Sequence, residues 1–451
     1  MQNKNYSERL NRVIPGGAHT YSRGDDQFPS NAPQILEKGK GAYVWDPEGN
    51  KFLDYGMALR AVTLGYADDE VNEAAFEEIR KGNNLTRASL TELNAAELIT
   101  SLIPSAEMVK FAKNGSNAVT AAVKLSRGYT GRRYVARCTE HPFFSFDDWF
   151  IGNTIMDKGT LQDEKKFTLQ FQYNNLASLE TLFDQHPNEI ACVLLEPATT
   201  VSPCSCSGSY KQEGCTNDAH LSENFLHKVK ALCSKHGAVF ILDEMITGFR
   251  WHLQGAQKYF NIEPDLCTFG KGMANGFSVA AVAGKRDIMD LGSIQDEGKE
   301  RLFLVSTTHG AEMCGLGAFI KTIELYKRDN VITSIWNYGQ KLMDGMNGIA
   351  AKLGIEKYFA VQGYPCSPVY MTLNAAGEAD LALRTLFSQE MIRNKVIMAW
   401  MALSNSHGAA ELDLTLSAVE KSLSVYSQAL EKGTGSYLNG KAVKPVFRKY
   451  N

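Results

Sequence analysis

Short apolar runs alternating with amphipathic stretches fill the middle of this chain, and that alternation constrains its fold more than any other feature. Residues 190–195 (IACVLL), 238–242 (AVFIL), 279–283 (VAAVA) and 302–305 (LFLV) are short, apolar and bounded by turn or charged residues, as buried strands are. Between the first two, residues 221–236 place Phe225, Val229 and Leu232 on one helical face. Strand, helix, strand in this order predicts an α/β fold with a mostly parallel central sheet covered by helices. The tail reads differently. Residues 410–431 carry Leu412, Leu414, Val419, Leu423, Tyr426 and Leu430, a pattern that predicts an amphipathic helix ended by Gly433 and Gly435.

At 451 residues the chain is too long for one compact core, so two domains sharing an interface are expected. Residues 61–315 are expected to form the large ligand-binding domain, and 1–60 to join 316–451 in a smaller α+β domain made from both termini. A net charge of −3 gives no electrostatic argument for nucleic acid or an anionic membrane. No apolar stretch approaches the ~20 residues that span a bilayer, and the polar amino terminus MQNKNYSERLNRV lacks the apolar core of a secretory signal. The nine cysteines are an odd number and lie mostly in apolar runs, as Cys192 does. That suits reduced thiols in a cytoplasmic protein better than a disulfide framework.

The most informative segment is 237–250, GAVFILDEMITGFR, where a buried strand ends in Asp243 and Glu244 before a glycine turn. In an open α/β sheet ligands collect beyond the carboxyl ends of the strands, where Asp243 stands. A carboxylate there needs a cationic partner, because an unpaired charge at the edge of a core is expensive. A protonated pyridine nitrogen is such a partner: Asp243 would raise its pKa and keep it charged, which makes the ring an electron sink. Lys271 follows 28 positions later (271 − 243), within PDLCTFGKGMANG at 264–276. Gly270 and Gly272 leave room for a bulky group on its amine, and a partly desolvated lysine loses its proton readily enough to form a Schiff base. Taken singly, Asp-Glu after a strand also serves as a helix cap and Gly-Lys-Gly as a loop. Their order and spacing together favour chemistry.

The stretch FAKNGSNA at 111–118 runs into a helix expected over 119–127. Gly115 and Ser116 would offer backbone N–H groups and a hydroxyl to a phosphate, or else form an ordinary Asn/Ser cap. Residues 304–310, LVSTTHG, put hydroxyls at a strand end, which suits a phosphate or a plain turn.

In this order the elements resemble the class III aminotransferases of pyridoxal-phosphate fold type I, and within them the glutamate-1-semialdehyde aminomutase-like branch. The resemblance runs from Gly16, Gly17, Ser22 and Arg23 through VWDPEGN at 44–50 and Leu53, Asp54 and Tyr55, to PVFRKYN at 445–451. It implies pyridoxal 5'-phosphate as cofactor, Lys271 as its Schiff-base lysine and Asp243 as the partner of the pyridine nitrogen. It places Gly115, Ser116 and Asn117 at the phosphate, and has Thr307 reach the phosphate bound in the neighbouring subunit of a homodimer. Met245 stands where a valine usually packs on one ring face, a contact that a thioether also makes. Glu196 matches an acidic position near the active site. Arg23 matches the arginine that meets a substrate carboxylate, or is a structural arginine in a loop.

Several positions depart from the family pattern. Where Tyr-His-Gly precedes Asp-Trp, this chain reads HPFFSFDDW over 141–149, so Phe143 still stacks on the cofactor while a phenol or imidazole is gone. Asn117 replaces the usual acid, and the Ser-Gly-Asn-Pro after the phosphate threonine becomes Thr308, His309, Gly310, Ala311 and Glu312. Such variants resemble aminotransferases of surface-polysaccharide pathways, where a sugar carbonyl receives the amine. The expected activity is transfer of an amino group from an amino-acid donor to a carbonyl acceptor. The alternatives are an intramolecular aminomutase and a catalytically silent regulatory or scaffold relative; Asp243, Lys271, Gly115 and Ser116 together argue against the last. Cys204, Cys206, Cys215 and His220 crowd into an apparent insertion where three thiols and an imidazole can hold zinc. Their spacing is not a standard zinc pattern, so a polar surface loop without metal is expected.

Overall fold

Burial on both faces makes sheet of the apolar runs in the middle of the chain: all six residues of Ile190–Leu195 and all five of Val239–Asp243 are buried. Strands covered on two sides read as unbroken apolar runs rather than as alternation. The computed structural model describes residues 5–198, 201–203 and 223–451, and the chain divides into the units Asp69–Ile332 and Met1–Asp68 with Thr333–Asn451.

In the larger unit seven strands are β1 (Met108–Ala112), β2 (Tyr134–Cys138), β3 (Thr168–Phe171), β4 (Ile190–Leu195), β5 (Val239–Asp243), β6 (Leu266–Phe269) and β7 (Ala280–Gly284). They lie in the order β1-β7-β6-β5-β4-β2-β3. The pairs β2/β3, β2/β4, β4/β5 and β5/β6 are parallel, while β7 runs antiparallel to both β6 and β1. Because β7 alone is reversed, the carboxyl ends of the other six open along one edge. The fold is therefore the expected helix-covered, mostly parallel sheet.

Two helices show how local sequence sets the boundaries. The helix Gly115–Thr130 begins four residues before the apolar periodicity suggests, because the Oδ1 atom of Asn114 accepts the N–H of Asn117 and caps it. It ends at Gly131, in the left-handed region with φ +68°. The helix Phe225–His236 is capped by Asn224 and stops at Gly237, also left-handed. Residues 221–222 of the stretch read as helical lie outside the described residues.

Two strand expectations need correction. The run at 279–283 forms β7 one residue later and antiparallel, a direction that apolar content alone does not encode. Residues 302–305 form no strand: Leu302, Leu304 and Val305 pack against the core, with Leu302 lying over Gly128 of the helix Gly115–Thr130. Four apolar residues look the same whether they join a ladder or lie over a helix. The sheet already ends at β1, so this run contributes burial without pairing.

In the smaller unit, Lys38–Lys40, Tyr43–Trp45 and Lys51–Asp54 form an antiparallel meander, and Val396–Ile397 adds to Lys51–Asp54 in parallel. Segments from both ends of the chain thus share one sheet. A separate hairpin pairs Phe359–Tyr364 with Ser367–Thr372. The helix Ala409–Lys432 matches the amphipathic tail, with Gly433 at its end. Six described cysteines are free thiols, five of them buried. Among the described residues no helix is long and apolar enough to cross a membrane.

Candidate active site

The carboxyl edge of the large sheet gathers chemistry from separate stretches of sequence. Asn114, Gly115 and Ser116 follow β1; Phe143 lies beyond β2; Glu196 follows β4; Asp243 ends β5; Lys271 comes two residues after β6. A ligand site beyond the carboxyl ends of parallel strands is the general rule for open α/β sheets.

Asp243 is 2% exposed. Its Oδ1 atom accepts the backbone N–H of Met245 at 2.9 Å and the hydroxyl of Thr268 at 3.0 Å. Burial pushes this carboxyl above the usual carboxylate range; the Met245 N–H, the Lys271 charge and the Thr268 hydroxyl only partly offset it. A cation arriving at Asp243 therefore gains a buried partner that is short of compensation. Lys271 is half-buried and holds a left-handed backbone, φ +42°, which costs a non-glycine residue roughly 1–2 kcal/mol. The turn is anchored next door, where the buried Tyr326 hydroxyl donates to the carbonyl of Gly272 at 2.5 Å.

Met245 ties these parts together. A Cβ added at Gly115 would lie 2.9 Å from its Sδ atom, and one at Gly270 would lie 2.7 Å from it. The thioether thus occupies the space left by two glycines, one at the helix start and one before the lysine. It also packs with Ala112, Ala118 and Ala280.

The helix start has the free groups that an anion needs. Asn114 takes the N–H of Asn117, which leaves the earlier N–H groups of Gly115 and Ser116 directed out of the helix end. Ser116 Oγ accepts the N–H of Phe146 at 3.2 Å, so its own proton remains for a ligand. Asn117 keeps its side chain half-buried. Phe143 is 47% exposed and meets Phe150 edge to face. Glu196 is buried, and its backbone N–H donates to Nδ1 of His141 at 3.1 Å. Burial first, then the Arg137 charge, lowers the pKa of His141 to about 3, so the ring is neutral and free to accept that bond.

Thr307 is exposed on a turn closed by the Gly310 N–H to the Thr307 carbonyl at 3.1 Å. Arg23 belongs to the smaller unit, on the turn Tyr21–Arg23, and lines a cavity of about 640 Å³ with His19, Asp54, Tyr66 and Trp400. Cys204, Cys206, Cys215 and His220 lie outside the described residues; among those described, no cluster of His, Cys, Asp and Glu is arranged to hold a metal. Sequence reasoning did not single out Thr268, His141 or Tyr326, whose roles are set by partners far along the chain.

An anion-binding helix start, a buried carboxylate and an amine along one sheet edge fit a ligand with a phosphate, a basic ring nitrogen and an aldehyde. Fold and site together define a pyridoxal-phosphate-dependent transferase of fold type I. The chain belongs to the class III aminotransferase family, whose model matches residues 24–358. It is an enzyme, an aminotransferase or aminomutase, and its cofactor is pyridoxal phosphate. It is 31% identical to a glutamate-1-semialdehyde 2,1-aminomutase of Alkaliphilus oremlandii, covering 92% of this chain and 96% of that one. It is 30% identical to a 3-aminobutyryl-CoA aminotransferase of Cloacimonas acidaminovorans, covering 94% and 97%. Among solved structures, the FumI protein of Sphingopyxis sp. MTA144 superposes with a TM-score of 0.83 at 24% identity, covering 95% of this chain and 97% of that one. A glutamate-1-semialdehyde aminomutase of Pseudomonas aeruginosa PAO1 gives a TM-score of 0.78 at 17% identity, covering 93% and 94%. These two likenesses concern the fold.

Proposed function

We propose that this protein transfers an amino group from an amino-acid donor to a separate carbonyl acceptor, a sugar or sugar-derived ketone, and works as a homodimer. The observation that carries the transfer chemistry is buried Asp243 within electrostatic reach of Lys271, beside the open helix start at Gly115. When bound, pyridoxal phosphate supplies an aldehyde for the lysine and a protonated ring that takes up the electron pair released at the substrate carbon. Lys271 holds the cofactor and, once freed by the donor, moves the proton at the substrate carbon. Asp243 keeps the proton on the ring nitrogen. The N–H groups of Gly115 and Ser116 and the Ser116 hydroxyl hold the phosphate, with Asn117 beside them and Thr307 added from the neighbouring subunit. Phe143 and Met245 flank the ring. Arg23 takes a substrate carboxylate, and Glu196 shapes the substrate side.

The sugar acceptor is supported by Phe146, 58% exposed and bonded through its N–H to Ser116. Open aromatic faces suit the apolar C–H face of a sugar ring. The second reading, intramolecular amino transfer, draws on the 31% identity to an aminomutase. The test offers the full chain amino donors alone, then keto sugars, then glutamate 1-semialdehyde, and follows the cofactor's absorbance. A donor should convert the cofactor and a keto sugar should restore it. Turnover of glutamate 1-semialdehyde alone, with no response to any donor and keto-sugar pair, would establish the second reading instead.

A further inference from the structure

The stretch Thr308, His309, Gly310, Ala311 and Glu312 has a use that the transfer chemistry leaves unexplained. The Glu312 Oε2 atom pairs with the Lys113 Nζ atom at 2.5 Å, with side chains only 23% and 26% exposed. Lys113 immediately precedes Asn114, the cap of the phosphate-facing helix, and its carbonyl accepts the Ser278 hydroxyl at 2.5 Å. Glu312 is itself the N-cap residue of the helix Met313–Arg328, yet its side chain makes no cap hydrogen bond there. The carboxylate is turned to Lys113 instead.

The rest of the loop is pinned from the other side. Asn84 Nδ2 donates to the Thr308 carbonyl at 3.0 Å. Asn83 accepts the Met313 N–H on its carbonyl at 2.7 Å and the Cys314 N–H on Oδ1 at 3.0 Å. The Thr307 turn, closed by the Gly310 N–H, runs through the anchored Thr308 and leads to Glu312. A Cβ at Gly310 would lie 2.7 Å from the Thr307 Oγ1 atom, so glycine there leaves the hydroxyl its room. His309 Nδ1 lies 3.3 Å from the second oxygen of Glu312 and 3.4 Å from Nδ2 of Asn84, so the ring sits between the two anchors.

We infer that Glu312 and Lys113 are positioning residues for the phosphate subsite: their ion pair fixes the loop from which Thr307 presents its hydroxyl. The inference rests on the reading that Thr307 meets a cofactor phosphate. Glu312 lies five positions after Thr307 (312 − 307), so fixing the carboxylate restricts the positions open to the hydroxyl. A partly buried pair of this kind holds geometry better than a solvated one, where screening and side-chain entropy consume most of the gain.

The test titrates the full-length apoprotein with pyridoxal phosphate and reads the dissociation constant from absorbance. Compared are the wild type, Thr307→Ala, Glu312→Gln, Glu312→Asp, Lys113→Gln and the double variant Thr307→Ala/Glu312→Gln. Glu312→Gln should weaken retention about three- to tenfold, less than the full loss of a hydrogen bond to a charged group because the pair acts only through the loop, and Lys113→Gln should match it. Glu312→Asp, which keeps the charge, should recover most of the loss. The double variant should be no weaker than Thr307→Ala alone, because residues acting through one contact are not additive. Normal retention in both Glu312→Gln and Lys113→Gln, with loss in Thr307→Ala, would overturn the positioning role alone. Additive losses would overturn it too, by placing Glu312 outside the action of Thr307. Normal retention in Thr307→Ala would remove the reading on which the inference stands, and the inference with it.

Discussion

The hydroxyl of Thr268 donates to Oδ1 of Asp243 at 3.0 Å, between residues that face each other across the β5–β6 ladder. Both are buried, so the bond forms where water does not compete, and hydrogen bonding to the charged form favours it. Thr268→Val keeps the shape and removes the donor. A hydrogen bond to a charged group is worth about 1.5–3 kcal/mol, so turnover should fall roughly ten- to a hundredfold with the cofactor retained. Steady-state kinetics on the cofactor-loaded variant checks this; unchanged turnover would show that Met245 and Lys271 hold the carboxylate unaided.

Asp243→Asn should keep the cofactor and lose activity by about two to four powers of ten, the scale of removing a dominant electrostatic contribution. An amide fills the space but does not hold the ring nitrogen's proton by charge. The cofactor's absorbance reports occupancy while single-turnover kinetics reports the chemistry. Near-normal rates would mean that the ring nitrogen finds its partner elsewhere.

Lys271→Ala should still bind pyridoxal phosphate through the helix start and Asp243, but without a bond that survives denaturation. Borohydride treatment of the wild type followed by peptide mapping should mark Lys271 and no other lysine. The mark on a different lysine would end the assignment.

How much of this was legible in the sequence depends on what each element's residues record. The strand at β5 was readable because AVFIL is continuous and its end is marked by an acid. The segment 302–305 was not, since an apolar run records burial and not pairing. The reversal of β7 was equally hidden, because run length carries no direction. Asp243, Lys271 and the Gly115 start stand out by chemistry and spacing. Thr268 and Tyr326 do not, because an isolated hydroxyl acquires meaning only when folding brings a carboxylate or a carbonyl to it. The Lys113–Glu312 pair joins residues 199 positions apart, beyond any local pattern.

Gly270→Ala should destabilise the protein by about 1–3 kcal/mol, as overpacking in a filled core does. The cause is named: its Cβ would meet the Met245 Sδ atom at 2.7 Å. In a Met245→Ala background the same change should cost much less, because the space is already vacated. Unfolding midpoints of the four apoproteins give the coupling. Equal costs in both backgrounds would show that the clash is relieved elsewhere.

The stability of the fold should depend on pH through His141. Burial and the Arg137 charge bring its pKa down from 6.5 to about 3 in the folded protein. Between those values the unfolded chain binds a proton that the folded one refuses, so unfolding free energy rises with pH. The contribution is complete above 6.5 and is lost as pH falls toward 3, with a slope of up to about 1.4 kcal/mol per pH unit inside the window. His407 acts in the same sense, its pKa brought down by burial to about 4. The buried carboxyls of Asp54, Asp243 and Glu244 act in the opposite sense, since burial raises them and the folded chain keeps protons that the unfolded one has released. Total stability therefore mixes both signs, and the difference between variants isolates one group. His141→Gln retains an acceptor for the Glu196 N–H and cannot titrate. Denaturant unfolding of wild type and His141→Gln at pH 5 and pH 7.5 should show the wild type losing about 2 kcal/mol more on acidification. Equal losses would show that His141 takes up its proton in the folded chain as readily as in the unfolded one, and that its bond to Glu196 does not require a neutral ring.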